Sequence, residues 1–293
     1  MVTPRQALLL SVLVAAATIG MKAMAWWLTG SVGYLSDAME SVINLAAATF
    51  ALVMVTYAQR PPDEDHPFGH GKAEYFSAAF EGGLIFIASL AILVAATERF
   101  FNPQPIVDLG VGTALSVGAS VLNLLVARLL FRVARTHRSL ALEADARHLM
   151  TDVWTTAGVI LGVALASATS LTWLDPVVAV AVACNILREG VHLMYRAVNG
   201  LMDRALDEAD VQAIQAILDD YAERHGCRFL NLRTRLAGAR RFAQVDVRVP
   251  GDWSVTRAHA LADAVEISVR EHGTLLSTHI EPMSAHPEQR EHA

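Results

Sequence analysis

Two stretches decide how this chain is read: Ser36-Asp37-Ala38-Met39-Glu40-Ser41-Val42-Ile43-Asn44 and Ala144-Asp145-Ala146-Arg147-His148-Leu149-Met150-Thr151-Asp152. Each places two ligand-type side chains at i and i+4, Glu40 with Asn44 and His148 with Asp152. On an α-helix such residues share one face about one turn apart, so two helices side by side offer four groups around one point. The surroundings of both stretches are apolar. Of 293 residues 54% are apolar and only 18% charged, with a mean hydropathy of +0.38, more than an ordinary soluble domain of this size carries. The excess lies in residues 6–198, whereas 203–293 reads as a soluble domain rich in Arg, Asp, Glu and His.

About 20 apolar residues cross a bilayer. Six candidate spans follow, near 6–28, 32–58, 77–100, 107–133, 140–168 and 172–196. The fifth is the least regular, because Glu143, Asp145, Arg147, His148 and Asp152 crowd its first half. The first span has no small-residue cleavage site after a short core and reads as a retained span rather than a signal peptide. Arg5, Arg60, Lys72, Arg132, Arg135 and Arg138 fall on one side and Arg99 on the other, so both termini are expected to be cytoplasmic. In the tail the pattern predicts a helix over 207–224, strands over 228–235 and 241–249, a helix over 254–271 and a strand over 275–281, an α-β-β-α-β sandwich. The expected organisation is a membrane domain over 1–202, a cytoplasmic domain over 203–284 and a disordered end over 285–293.

Charge chemistry narrows the occupant of the paired faces. Ionisable groups inside a bilayer each cost about 2.5 kcal/mol or more, so a set of them needs a purpose. Glu40 and Asp152 supply two negative charges, and Asn44 and His148 none, so a divalent cation makes the site neutral. Imidazole and carboxylate suit zinc and other first-row ions, while calcium calls for more oxygens. Without metal these groups take up protons, and a histidine, with an ordinary pKa of about 6.5, changes state near neutrality. Such competition is what a metal-for-proton exchanger requires. A lone Asp37 or Asp145 reads equally well as a polar residue bonded to a neighbouring helix. Lys22 could pair with an intramembrane acid, but the favoured expectation is that its stem runs along the first span and its ammonium reaches the outer interface near Trp26 and Trp27.

Two further clusters carry ligand-type groups. After the second span, Asp63, His66 and His70 stand in a loop shaped by Pro67, Gly69 and Gly71, for which a solvated acidic loop is the competing reading. In the tail, Asp246, His259, His279 and Glu281 are spread over separate elements, with His279 and Glu281 on one strand face.

Several classes fall away. A net charge of -6 gives no basic face for nucleic acid. Cys184 and Cys227 are too few for a disulfide framework or a thiolate cage. No HExxH occurs, so an intramembrane metallohydrolase has no general base, and the chain is read as a transporter rather than an enzyme, with no catalytic cofactor. The alternative is a membrane-anchored metal sensor or scaffold without transport, which has no need for ionisable pairs in two spans.

The paired intramembrane pattern, the loop DEDHPFGHGKAE and the tail segments LMDRAL and LRTR resemble the cation diffusion facilitator family, most of all its bacterial zinc and iron exporters, over nearly the whole chain. The resemblance implies six spans, a ferredoxin-like cytoplasmic domain, a homodimer, and metal-for-proton exchange by alternating access in a bacterial inner membrane. By position it implies a transport site at Glu40, Asn44, His148 and Asp152, and a loop site at Asp63, His66 and His70. It likewise implies a cytoplasmic site at Asp246, His259, His279 and Glu281, and a dimer ion-pair cluster containing Lys72 and Asp203. Two positions depart from the family. Glu40 and Asn44 replace the usual Asp or His and Asp, a harder set that leans toward iron(II), manganese or cobalt beside zinc. Leu230 stands where a histidine is expected before LRTR, which leaves the cytoplasmic, regulatory site incomplete.

Overall fold

The computed structural model describes residues 2–29, 32–102, 111–169, 171 and 173–283, apart from the side chains of 29, 32–37, 40, 111, 112, 163, 164, 166–168 and 175. The end expected to be disordered, 285–293, lies outside the described residues. The chain divides into two compact units, Met1–Asn199 and Gly200–Ala293.

The first unit is six long helices: α1 (Pro4–Thr29), α2 (Val32–Ala58), α3 (Ala73–Phe101), α4 (Val111–His137), α5 (Leu140–Thr169) and α6 (Leu174–Leu201). Thr3 and Gln6 start α1 by a reciprocal bond, the Gln6 amide donating to Thr3 Oγ1 and the Thr3 amide to Gln6 Oε1, with Pro4 at the first helical position. Among the described residues five helices are long and apolar enough to cross a membrane, and α5 is not one of them. Its charges are matched instead by neighbours. Arg147 holds Glu143 at 2.9 Å and also pairs with Glu189 of α6, while Arg196 of α6 reaches the same Glu143.

Many large apolar side chains point outward, Leu13, Ile87 and Val94 each being more than 60% exposed, while the interior, though it holds Leu8, Ile85 and Leu130, also buries Ala7, Ala15, Ala47, Ala48 and Ala51. That inversion fits a lipid solvent, in which large side chains gain nothing by leaving hydrocarbon and small ones let helices approach. α3 and α6 approach closely. A methyl group on Gly82 would stand 2.8 Å from Met194 Cγ and 3.3 Å from the Gly190 carbonyl, and one on Gly190 would stand 3.0 Å from the Phe86 amide nitrogen. Within this unit α1 packs on α2 and α4, α4 on α5, and α3 on α2 and α5. Lys22 corrects one expectation: it is 6% exposed, held inside the helix bundle rather than drawn out to the interface.

The second unit runs α7 (Glu208–His225), β1 (Arg228–Ala237), β2 (Arg240–Val249), α8 (Val255–Glu271) and β3 (Thr274–Pro282). The sheet order is β1-β2-β3, antiparallel between β1 and β2 and parallel between β2 and β3. A parallel pair needs a crossover, which α8 supplies. Along β2 the alternation is strict: Ala243, Val245, Val247 and Val249 are buried with Ile214, Leu218, Leu261 and Val265, so Gln244, Asp246 and Arg248 lie on the other face. Gly226, at φ 65°, closes α7 in the left-handed conformation that favours glycine.

Candidate metal centre

Three helices bring four polar side chains of the membrane unit together. Asn44 of α2, His148 and Asp152 of α5, and Asn123 of α4 are all at least nine-tenths buried. Asn44 Nδ2 donates to Asp152 Oδ2 at 2.7 Å, and Asn123 Nδ2 donates to the same oxygen at 3.0 Å. His148 Nε2 lies 2.8 Å from Asn44 Oδ1, and because an amide oxygen only accepts, Nε2 carries the hydrogen. The Asn44 amide thus bridges imidazole and carboxylate, and each of its hydrogen bonds occupies an atom able to bind a cation. His148 Nδ1 and Asn123 Oδ1 are buried without a hydrogen-bond partner. The Glu40 side chain lies outside the described residues. Sequence reasoning passed over Asn123, whose only signal is a lone amide in the apolar run Val121-Leu122-Asn123-Leu124.

The i, i+4 spacing explains the geometry. One turn of α5 separates His148 from Asp152, and Asn44 from the facing helix inserts between them. A cation seated there would take the place of the amide bridge, with His148 Nε2 giving up its hydrogen.

In the loop between α2 and α3, Asp63, His66 and His70 offer ligand atoms that all lie within 4.8 Å of one another, and they form the single such group of His, Cys and acidic residues among the described residues. The His66 amide donates to Asp63 Oδ1 at 2.7 Å, its ring Nδ1 stands 3.2 Å from that oxygen, and His70 Nε2 stands 3.2 Å from Asp63 Oδ2. The His70 side chain is buried against Tyr57, ring centroids 4.5 Å apart, while Asp63 and His66 are half exposed. Gly69, at φ 82°, allows the turn that folds His70 back. Desolvation acts to raise the Asp63 carboxyl, but the His66 amide and ring bonds and the charges of His70 and His66 outweigh it and hold the group below its usual range.

The tail residues are not gathered in this way. No three of Asp246, His259, His279 and Glu281 form such a cluster among the described residues. Asp246 accepts from Asn231 at 2.8 Å, Glu281 accepts from Arg248 at 3.1 Å, and His259 stands 3.6 Å from Asp263. One row does line up across the sheet, with Leu230 opposite Asp246 and Asp246 opposite His279. Lys72 immediately precedes α3 in the first unit, and Asp203, in the second, accepts from Arg235 at 3.2 Å.

Comparison with known proteins agrees with this division. The family profile described as the cation efflux transmembrane domain matches residues 8–202, and that of the cation efflux protein cytoplasmic domain matches 206–283. A protein of Synechocystis described as an uncharacterised transporter is 46% identical over 276 residues, covering 94% of this chain and 89% of its own length. The cation-efflux pump FieF of Salmonella typhi is 31% identical over 282 residues, 94% of this chain and 91% of the pump, and its counterpart in Salmonella newport is 30% identical over the same length.

Proposed function

The chain belongs to the cation diffusion facilitator, or cation efflux, family, and from that premise we propose that it exports a divalent transition metal from the cytosol in exchange for protons, as a homodimer working by alternating access. It is a membrane transporter rather than an enzyme of the ordinary kind. The observation that carries the exchange reading is the amide-bridged set of Asn44, His148 and Asp152, buried where three helices of the membrane unit meet. Glu40, one turn before Asn44, completes the transport site. The set binds either hydrogens or a cation at the same atoms: for His148 Nε2 to ligate, the hydrogen of the neutral ring shifts to Nδ1, and the protons that must leave are the second one of a charged ring and any held on the carboxylates. Metal entering from one side therefore drives a proton off, and a proton arriving from the other side drives the metal out.

One imidazole, one amide oxygen and two carboxylates form a site harder than a two-histidine one, favouring zinc, iron(II), manganese or cobalt over softer ions. Asp63, His66 and His70 form a second metal site, at the cytoplasmic end of α2 and α3. The tail domain carries the dimer contact, and metal there, at Asp246, His259, His279 and Glu281, regulates rather than moves. Lys72 and Asp203 belong to an ion-pair cluster that supports the dimer, and both termini lie on the cytoplasmic side of a bacterial inner membrane.

The test is uptake of zinc, iron(II) or manganese into vesicles carrying the purified protein under an imposed pH gradient. Asp152→Ala should abolish uptake, since it removes the acceptor of both the Asn44 and Asn123 bonds and the site's charge, while the protein still elutes as a dimer. Undiminished uptake by that variant rejects the assignment.

A further inference from the structure

We infer that Glu81 of α3 and Asp145 of α5 form a second proton-binding site in the membrane unit, apart from the metal ligands, completed by the Ser11 hydroxyl of α1 and loaded and emptied as the transporter cycles. The inference rests on the exchange reading for its role and on three observations for its existence.

First, the site is sealed: Ser11, Glu81 and Asp145 are 1%, 0% and 1% exposed. Second, its atoms lack partners. Ser77 Oγ meets Glu81 Oε1 at 3.4 Å, but Glu81 Oε2, both carboxyl oxygens of Asp145 and Ser11 Oγ complete no hydrogen bond, although Ser11 stands beside Asp145. The orphaned Ser11 hydroxyl is independent of the acids, and it is aimed at one of them. Third, no cation among the described residues answers the two carboxyls. The charge that reaches Glu81 is that of Asp145. Arg147 of α5 and Arg196 of α6 are turned to Glu143, Arg128 and Arg132 of α4 and Arg188 of α6 are exposed, and Lys22 lies eleven residues from Ser11 along α1, roughly 16 Å away. On α3 the nearest acid, Glu74, is bonded to Ser139.

Two carboxylates so placed cannot both be ionised, because like charges in a dry interior repel and neither has a counter-ion. One proton, carried on either carboxyl, leaves a single negative charge, toward which Ser11 can donate its hydrogen. A buried metal is the less suited occupant: the site has no imidazole, and two carboxyls and a hydroxyl fall short of an ion's usual ligand count. Asp145 lies three residues before His148 on the same helix, about 4.5 Å along its axis, so a movement of α5 that opens the metal site to one side also moves one wall of the acid pair. The proton would then leave to water on that side and be replaced from the other, and the exchange would carry a proton that the metal ligands do not hold.

The test has two arms on the full chain in lipid. Infrared spectra of metal-free protein at neutral pH should contain the carbonyl stretch of a protonated carboxyl, reduced in Glu81→Gln/Asp145→Asn. A wild-type spectrum without that band, or a band of full strength in the double variant, overturns the site. In vesicles with a pH dye inside and zinc as cargo, Glu81→Gln and Asp145→Asn should bind zinc as the wild type does but move at least a third fewer protons per zinc. If wild type moves zinc with no protons, the exchange reading fails while the infrared arm still decides the site. If wild type couples protons to zinc and both variants keep the full ratio, the proposed role is rejected. A variant that fails to fold leaves the decision with the wild-type infrared band.

Discussion

Replacing Asn44 by Asp tests the logic of the amide bridge directly. In the structure Asn44 Nδ2 donates to Asp152 Oδ2 at 2.7 Å, so Asn44→Asp turns a donor into an anionic oxygen at that distance from a carboxylate. Two unit charges so close repel by about 6 kcal/mol at an effective dielectric of about 20, roughly four decades in an equilibrium constant. Relaxation will separate the oxygens, and about 4 kcal/mol of that repulsion, roughly two-thirds of it, is what holds an extra hydrogen between them at neutral pH. Metal entering the variant must therefore displace one more proton than it does in the wild type. The expected result is a zinc affinity that falls more steeply with acidity, by about one further decade for each pH step, and overtakes the wild type in alkali because the site holds one more negative charge. Zinc titrations at four or five pH values, with protons released measured in weakly buffered solution, read both quantities. If proton release and pH slope equal those of the wild type, Asn44 is not within reach of Asp152 in the working protein, and the bridge is refuted.

The α3–α6 contact predicts a packing defect. In Gly82→Ala the new methyl group would stand 2.8 Å from Met194 Cγ and 3.1 Å from the Met194 backbone nitrogen, so the helices must part, a change of the kind that costs about 1–3 kcal/mol. Thermal unfolding in detergent should show a lowered midpoint, and an unchanged midpoint would mean the helices are not in this contact. In the tail, Leu230→His should place an imidazole in the row formed with Asp246 and His279, and tail-bound zinc should tighten by on the order of tenfold, the scale on which groups around a metal act. Competition against a zinc-sensing dye, with Asp152→Ala as background, measures it, and no gain would place the side chain off that row.

What the sequence made legible is what one helix or strand settles by itself. Apolar runs located five helices and the second half of α5 because a span must satisfy every backbone group internally, and the i, i+4 pairs located Asn44, His148 and Asp152 because spacing alone puts such residues on one face. What depended on how helices rotate against one another stayed hidden. Asn123 is a single amide with no periodic partner, and only the packing of α4 on α5 brings it to Asp152. Lys22 reads as an interfacial residue from its place near Trp26, yet the bundle encloses it.

Asp145 makes the same point with more at stake. On its own helix it is one polar residue among several, for which a bond to any neighbour would serve, and Glu81 lies in a run whose hydropathy hides it. Their meeting is created by the close packing of α3 on α5, and neither acid announces the other in sequence. The tail fails for a related reason. Alternation along β2 correctly separates Val245 and Val247 from Asp246, but whether Asp246 meets His279 or His259 is set by strand register and by the turn of α8, which no single element encodes. Rotation and register are properties of pairs. A function that resides where helices touch is therefore legible from sequence only when, as at His148 and Asp152, one helix already carries two of the parts.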